Sequence, residues 1–181
     1  MLPIAPVPTR IVEVVVGALG HLRIRDPQKR VTLDIPADLP MVMADPRRLR
    51  EVLDNLLDNA LKYTPAHASV WIECVHTTEN LVPVVKLTVR DDGPGVPEAM
   101  SERIFEPFRQ AGEPAGLQNN GAGLGLAICR RIIDAQQGRI WAESVDGGGV
   151  AFVVTLPLAD PELHRLNHDQ TVGEPLGENY E

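Results

Sequence analysis

The chain has 181 residues, a net charge of −8, 44 % apolar and 23 % charged residues, the balance of one compact globular domain. Its acidity, with a pI near 5.1, argues against a general nucleic-acid partner, and no apolar run reaches the ~18–20 residues of a membrane span. The opening MLPIAPVPTR lacks a basic stretch followed by an apolar one, so it does not read as a secretory signal, and a cytoplasmic protein is expected.

In chain order, residues 10–22 read as an amphipathic helix, with the Val14–Val15–Val16 triplet speaking against it. Residues 31–35 and 41–44 read as short strands joined by a proline-containing turn. Asp45-Pro46 supplies a helix N-cap with proline at the first helical position, and apolar residues at helical spacing from Leu49 to Ala60 predict a helix over 46–63. Residues 70–76 and 84–90 alternate as two strands, with a hairpin connection expected at 77–80. A short helix is expected over 98–104, then a long polar segment over 106–120. A helix is predicted over 124–137 with Gly138 at its C-cap, and strands over 140–144 and 150–156 flank Gly147, Gly148 and Gly149. From Ala159 onward six acidic residues and one Arg stand among Pro, Gly and Asn, the composition of a disordered tail. Cys74 and Cys129 are far apart without a CxxC or a His companion and are expected to be buried thiols. The mixture points to an α+β fold, a mixed and mostly antiparallel sheet packed as one layer against three helices.

Four segments carry chemistry. In residues 55–63 (NLLDNALKY), Asn55 and Asn59 are one helical turn apart and share a face, with Lys62 and Tyr63 one turn further on. An Asn carbonyl oxygen is a hard ligand suited to magnesium, Lys62 supplies a point charge for a phosphate, and Tyr63 offers a ring face to a base. The same pattern also serves a solvated polar face. In residues 91–97 (DDGPGVP), Asp91 follows an apolar strand and precedes Gly93 and Gly95. A carboxylate there accepts a hydrogen bond from an exocyclic amine, favouring adenine over guanine, although an ordinary Asp-Gly turn fits the segment too. In residues 121–126 (GAGLGL), Gly121, Gly123 and Gly125, with Leu124 and Leu126, open a helix whose free N–H groups attract phosphate. This is neither a dinucleotide fingerprint nor a P-loop, because no buried strand precedes it and no Gly-Lys-Ser/Thr follows. In residues 104–108 (IFEPF), Phe105, Pro107 and Phe108 are expected to anchor a loop able to close over a nucleotide.

Taken together, residues 31–157 resemble the ATP-binding catalytic domain of bacterial sensor histidine kinases: NLLDNALKYTP is similar to that family's N box, DDGPGVP to its G1 box, IFEPF to its F box and GAGLGLAICRRI to its G2 box. The resemblance implies the two-layer α/β sandwich shared with DNA gyrase B, MutL and the large heat-shock chaperone ATPases. It implies Mg²⁺ on Asn59 with Asn55 assisting, Lys62 on phosphate, Tyr63 flanking the base and Asp91 on the adenine amine of ATP. Where the hydrolytic branch and the serine-directed kinases carry a general-base Glu, this chain has Asn55, which cannot take a proton. A neutral imidazole already has an attacking lone pair, so Asn55 favours histidine phosphorylation over hydrolysis.

Two departures from the family stand out. His21, His67 and His76 lack the surroundings of a phosphoacceptor, and His168-Asp169 lacks the helical context. The acceptor is therefore expected on a histidine-bearing dimerisation domain, in the same or another chain. Many family members also place an Arg two residues after the second Phe of the F box; here that place holds Gln110, leaving Arg109 or Arg130 as the candidate for the phosphates. The resemblance implies a response regulator receiver domain as the next partner, a monomeric isolated domain and a homodimeric parent kinase. The expected organisation is 1–25 as a segment from the preceding domain, 26–158 as the catalytic domain and 159–181 as the acidic tail. The alternatives are a non-catalytic ATP/ADP-binding module and a gyrase-like ATPase.

Overall fold

A computed structural model describes residues 3–64, 68–109 and 123–159. Five strands form a sheet in the order β2-β4-β5-β7-β6: β2 (Arg30–Asp34), β4 (Ser69–Glu79), β5 (Val82–Asp91), β6 (Arg139–Ser144) and β7 (Val150–Pro157). β2 pairs with β4 in parallel and every other pair is antiparallel. Helices α1 (Ile11–Arg25), α2 (Pro46–Tyr63) and α3 (Gly125–Asp134) supply the other layer, so the α+β sandwich expected from the sequence is present. The inward rows follow from the strand period of two. Ile72 faces Val89, which faces Phe152; Cys74 faces Leu87, which faces Val154. All of them are buried beneath Leu49, Leu53, Leu56 and Leu57 of α2 and Ile132 and Ile133 of α3. Cys74 and Cys129 sit in this core, and burial pushes both thiols up to about 12.

Asp45 starts α2 as anticipated. Its Oδ1 accepts from the N–H groups of Arg47 (3.0 Å) and Arg48 (3.2 Å), a cap that contributes about 1 kcal/mol. Its Oδ2 accepts from the Ala5 N–H at 3.0 Å, and its own N–H donates to the buried Gln136 Oε1 at 2.5 Å. Burial raises this carboxyl, but the N–H groups of Ala5, Arg48 and Arg47 outweigh that and hold it below the usual range.

Several elements differ from the sequence pattern. α1 forms despite its valines because Ile11, Val14, Val15, Ala18, Leu19 and Leu22 pack into the core shared with α2, and tertiary burial overrides β-branched reluctance. The 1–25 segment therefore contributes to the same core as residues 26–158. β1 (Val7–Thr9), unmarked in the sequence, pairs with β3 (Val42–Ala44) in a separate two-stranded sheet, so β2 and β3 belong to different sheets. The β4–β5 hairpin turns on Asn80 and Leu81, both at positive φ, and not over 77–80. Pro83 falls where β7, which begins pairing at Val84, no longer needs its N–H. Residues 98–105 form two 3₁₀ turns, Glu98–Met100 and Arg103–Phe105, in place of one helix. At the end of α3 the left-handed residue is Gln137 (φ 59°); Gly138 donates to Ile133 O at 3.0 Å, and any Cβ on it would strike the Thr155 carbonyl.

Candidate functional site

Asp91 takes its place from the pleat. Val85, Leu87 and Val89 point inward along β5, and two residues further the same face presents a carboxylate. Asp91 is 5 % exposed. Its Oδ1 accepts from the Gly93 N–H at 2.9 Å, and the Val150 N–H also reaches the carboxylate. Burial raises Asp91 above its ordinary value, with Asp92 adding to the rise, while those two N–H groups and the Lys29 charge oppose it. The β6–β7 turn presses on the same point. Gly149 lies at φ +96°, and a Cβ there would strike the Asp91 carbonyl oxygen. In sequence the three glycines mark only a turn, and a third glycine beyond what a tight turn needs is the one local signal of this contact. Gly95 closes the group, with the Gly149 carbonyl 2.8 Å from where its Cβ would stand.

Asn55 is the anchor of a second group. Its Nδ2 donates to Glu51 O at 2.9 Å, which settles the orientation of the amide. Oδ1 then faces Gly125, 2.9 Å from where a Cβ on that glycine would be. A carbonyl oxygen is thus aimed at the first turn of α3, whose N-cap position, Leu124, provides no side-chain cap. Asn59 follows one turn later, half-buried, and Leu126 packs against the core. Phe108 N donates to Gly123 O at 3.0 Å, and both residues adopt positive φ (63° and 64°). At Gly123 a Cβ would crowd the Phe108 and Arg109 backbone at 3.0–3.1 Å, and φ +64° disfavours a side chain there. This pair joins the F-box segment to the start of α3. Gly121 and Gln110 lie outside the described residues.

Thr64 ends α2 nine residues after Asn55, roughly 13 Å along the axis. Its Cγ2 lies 2.7 Å from where a Cβ on Gly93 would stand. One helix therefore touches both groups, Gly125 at Asn55 and the Asp91 cluster at its C-terminal end. Lys62 and Tyr63 lie at that latter end, exposed, with Lys62 Nζ donating to Tyr63 Oη at 3.0 Å and lying 4.8 Å from the ring centroid.

The remaining candidates divide. Phe105 is buried edge-on to Phe152 at 6.4 Å, so its ring anchors the segment, whereas the Phe108 ring is 76 % exposed and Phe108 holds the segment through its backbone N–H. Arg130 is committed elsewhere: its guanidinium lies 4.3 Å over the Phe105 ring and donates to Glu102 Oε2 (3.1 Å) and Ile140 O (3.2 Å). Arg109 is exposed, and among the described residues its side chain pairs with Glu106, three residues earlier, at 2.9 Å. Among the described residues no cluster of His, Cys, Asp or Glu could hold a metal ion. The Asn55 amide oxygen is a hard donor turned toward the start of α3. Lys29, which the sequence did not single out, is buried beside the Asp91 cluster with its Nζ on Thr64 Oγ1. Lone lysines in a polar connection carry no local signal.

Comparison with known proteins fits this geometry. Residues 44–160 match the family model described as histidine kinase-, DNA gyrase B- and HSP90-like ATPase. The adaptive-response sensory kinase SasA of Synechococcus sp. (strain JA-3-3Ab) is 46 % identical over 136 residues, 75 % of this chain and 35 % of that protein. The chain thus spans about a third of the length of the curated relatives it matches. Among solved structures, full-length ShkA in complex with AMPPNP superposes with a TM-score of 0.71 and 29 % identity, over 87 % of this chain and 32 % of that one. Histidine kinase ThkA in complex with the response regulator protein TrrA gives 0.69 and 28 %, over 88 % and 43 %.

Proposed function

The chain belongs to the histidine kinase-, DNA gyrase B- and HSP90-like ATPase family, and from that premise we propose that it is the ATP-binding catalytic domain of a sensor histidine kinase. It binds Mg-ATP and passes the γ-phosphoryl group to a histidine on a separate dimerisation domain. The observation that carries this reading is Asn55, an amide where a hydrolytic enzyme needs a base, with its oxygen turned to the open start of α3. The carboxylates of α2 do not substitute for one. Glu51 is paired with Arg48 (2.8 Å), Asp54 with Arg50 (2.9 Å) and Asp58 with Arg25. Without a base to activate water, the acceptor must bring its own lone pair, as a neutral imidazole does.

The roles follow from the two groups. Asp91 accepts the exocyclic amine of adenine, and Tyr63 flanks the base. Gly93 and Gly95 shape the floor. Asn59 and Asn55 would hold magnesium through amide oxygens, where the ion neutralises phosphate charge. The N–H groups at Gly123, Leu124, Gly125 and Leu126 receive the phosphates, with Gly121 as the preceding member of that run. Lys62, released from Tyr63, adds a positive charge. Of the two arginines, Arg109 serves the phosphates, because Arg130 would have to abandon Phe105, Glu102 and Ile140 to do so. Transfer then rests on positioning and charge neutralisation: an imidazole nitrogen forms the new P–N bond as the bond to the ADP oxygen breaks.

Among the described residues the folded unit runs from β1 to Leu158, which bridges to Val42. The parent kinase is a cytoplasmic homodimer, or has this domain on the cytoplasmic side, and its phosphohistidine supplies a response regulator. ThkA, found in complex with TrrA, supports that partner class. Two assays test the reading. Calorimetry with magnesium and a non-hydrolysable ATP analogue should show binding, and γ-labelled ATP should label a histidine-bearing dimerisation domain as acid-labile phosphate. Binding with no transfer to any such domain would leave a regulatory nucleotide module. Steady phosphate release without an acceptor would instead mark an ATPase.

A further inference from the structure

Lys29 sits in the connection between α1 and β2 and is 7 % exposed, an uncommon degree of burial for an ammonium. Its Nζ donates to Thr64 Oγ1, and that hydroxyl donates to Ala60 O in the last turn of α2. The methyl of the same threonine lies 2.7 Å from the point where a Cβ on Gly93 would stand, and Asp91 Oδ1 lies 2.9 Å from that point. A continuous set of contacts therefore runs from Lys29 through the end of α2 to the Gly93 and Asp91 floor. Among the described residues, Lys29 and Asp92 act on Asp91 by charge and oppose one another; Asp92 Oδ1 accepts from the Ser69 N–H of β4 at 2.9 Å. β7 contributes the neutral Val150 N–H, β4 the apolar Val70 opposite, and α2 the neutral Thr64.

We propose that Lys29 is a positioning residue for the base end of the site: by gripping Thr64 it fixes the wall against which Gly93 and Asp91 pack, and it brings a positive charge to the surroundings of the Asp91 carboxylate. It touches no substrate. Its role is to keep Asp91 a charged acceptor in a place where burial favours the neutral acid. The inference rests on the reading of Asp91 as the base acceptor only for its consequence, because the hold on Asp91 is measurable without nucleotide.

The test follows the Asp91 side-chain carboxyl by ¹³C NMR titration in the full chain, native and Lys29→Met. The apolar replacement of similar length should move the Asp91 midpoint upward and speed hydrogen exchange of the Gly93 N–H. Lys29→Gln, shorter and neutral, gives the same upward movement and serves if the Met variant does not fold. In parallel, the affinity for a magnesium-bound ATP analogue is measured from pH 5 to 8. Lys29→Met should weaken it by about tenfold more at the acid end than at the alkaline end, because the protonated Asp91 loses its charge-assisted acceptor role there, while the loosened wall costs a smaller amount at every pH. A uniform loss at all pH values would mark Lys29 as structural packing only and overturn the proposal, as would an unmoved Asp91 midpoint in a folded variant. If the midpoint moves while the native chain binds no analogue, the hold of Lys29 on Asp91 stands and the base-acceptor reading falls.

Discussion

Asp91 and Asn55, the two side chains on which the site turns, are held by different means. Asp91 belongs to the core-facing row of a central strand, is roofed by the glycine turn before β7 and is bordered by Thr64 and Lys29. Asn55 sits half-buried on a helix face with one back-bond to Glu51, opposite a helix start with no side-chain cap. The proposed base end is thus part of the fold, while the proposed phosphate end is a set of partly exposed groups. Recognition of the base should depend on packing, and handling of the phosphates on individual side chains.

The sharpest break of that contrast is Asp91→Asn. It should lower analogue affinity by about 10–100-fold, the worth of a hydrogen bond to a charged group. The urea midpoint should not fall, because an amide escapes the burial cost that raises this carboxyl. A loss of stability of the same size would show that the carboxylate is mainly structural. Gly149→Ala should cost about 1–3 kcal/mol in urea unfolding, because φ +96° and the Asp91 carbonyl both reject a side chain. Analogue binding should weaken with it, coupling fold and base recognition. At the proposed phosphate end, Asn55→Ala should cost no more than about 1 kcal/mol of stability while phosphotransfer to a histidine is lost, since only one half-buried back-bond is removed from the fold.

The smallest effect is in pH dependence. The folded state holds the Asp91 proton more tightly than the unfolded chain, so its contribution to stability declines as pH rises from the ordinary value of 3.8 through the raised one. Affinity for the analogue should rise over the same window, because the charged form is the better acceptor. Asp45 runs the other way: its pKa is lowered, so its contribution is present above 3.8 and is lost as pH falls through the lowered value. Urea titrations of native and Asp45→Ala chains between pH 3 and 7 separate the two signs.

Much of this was legible from local pattern alone. Helical spacing marks α2 and places Asn55 and Asn59 on one face, the Asp45-Pro46 pair marks its start, and the alternation of β5 implies that Asp91 faces inward. Those are properties of neighbouring residues on one element, and periodicity reports them directly. What the tertiary structure decided are meetings between segments far apart in the chain. It paired β1 with β3 and not β3 with β2, and buried a helix whose valines speak against it. It stacked Arg130 on Phe105, and brought Lys29 and Gly149 to the surroundings of Asp91. None of these has a periodic signature, because the free energy that selects them comes from burial and charge shared across elements, and it exists only once the sheet and helices have closed on one another.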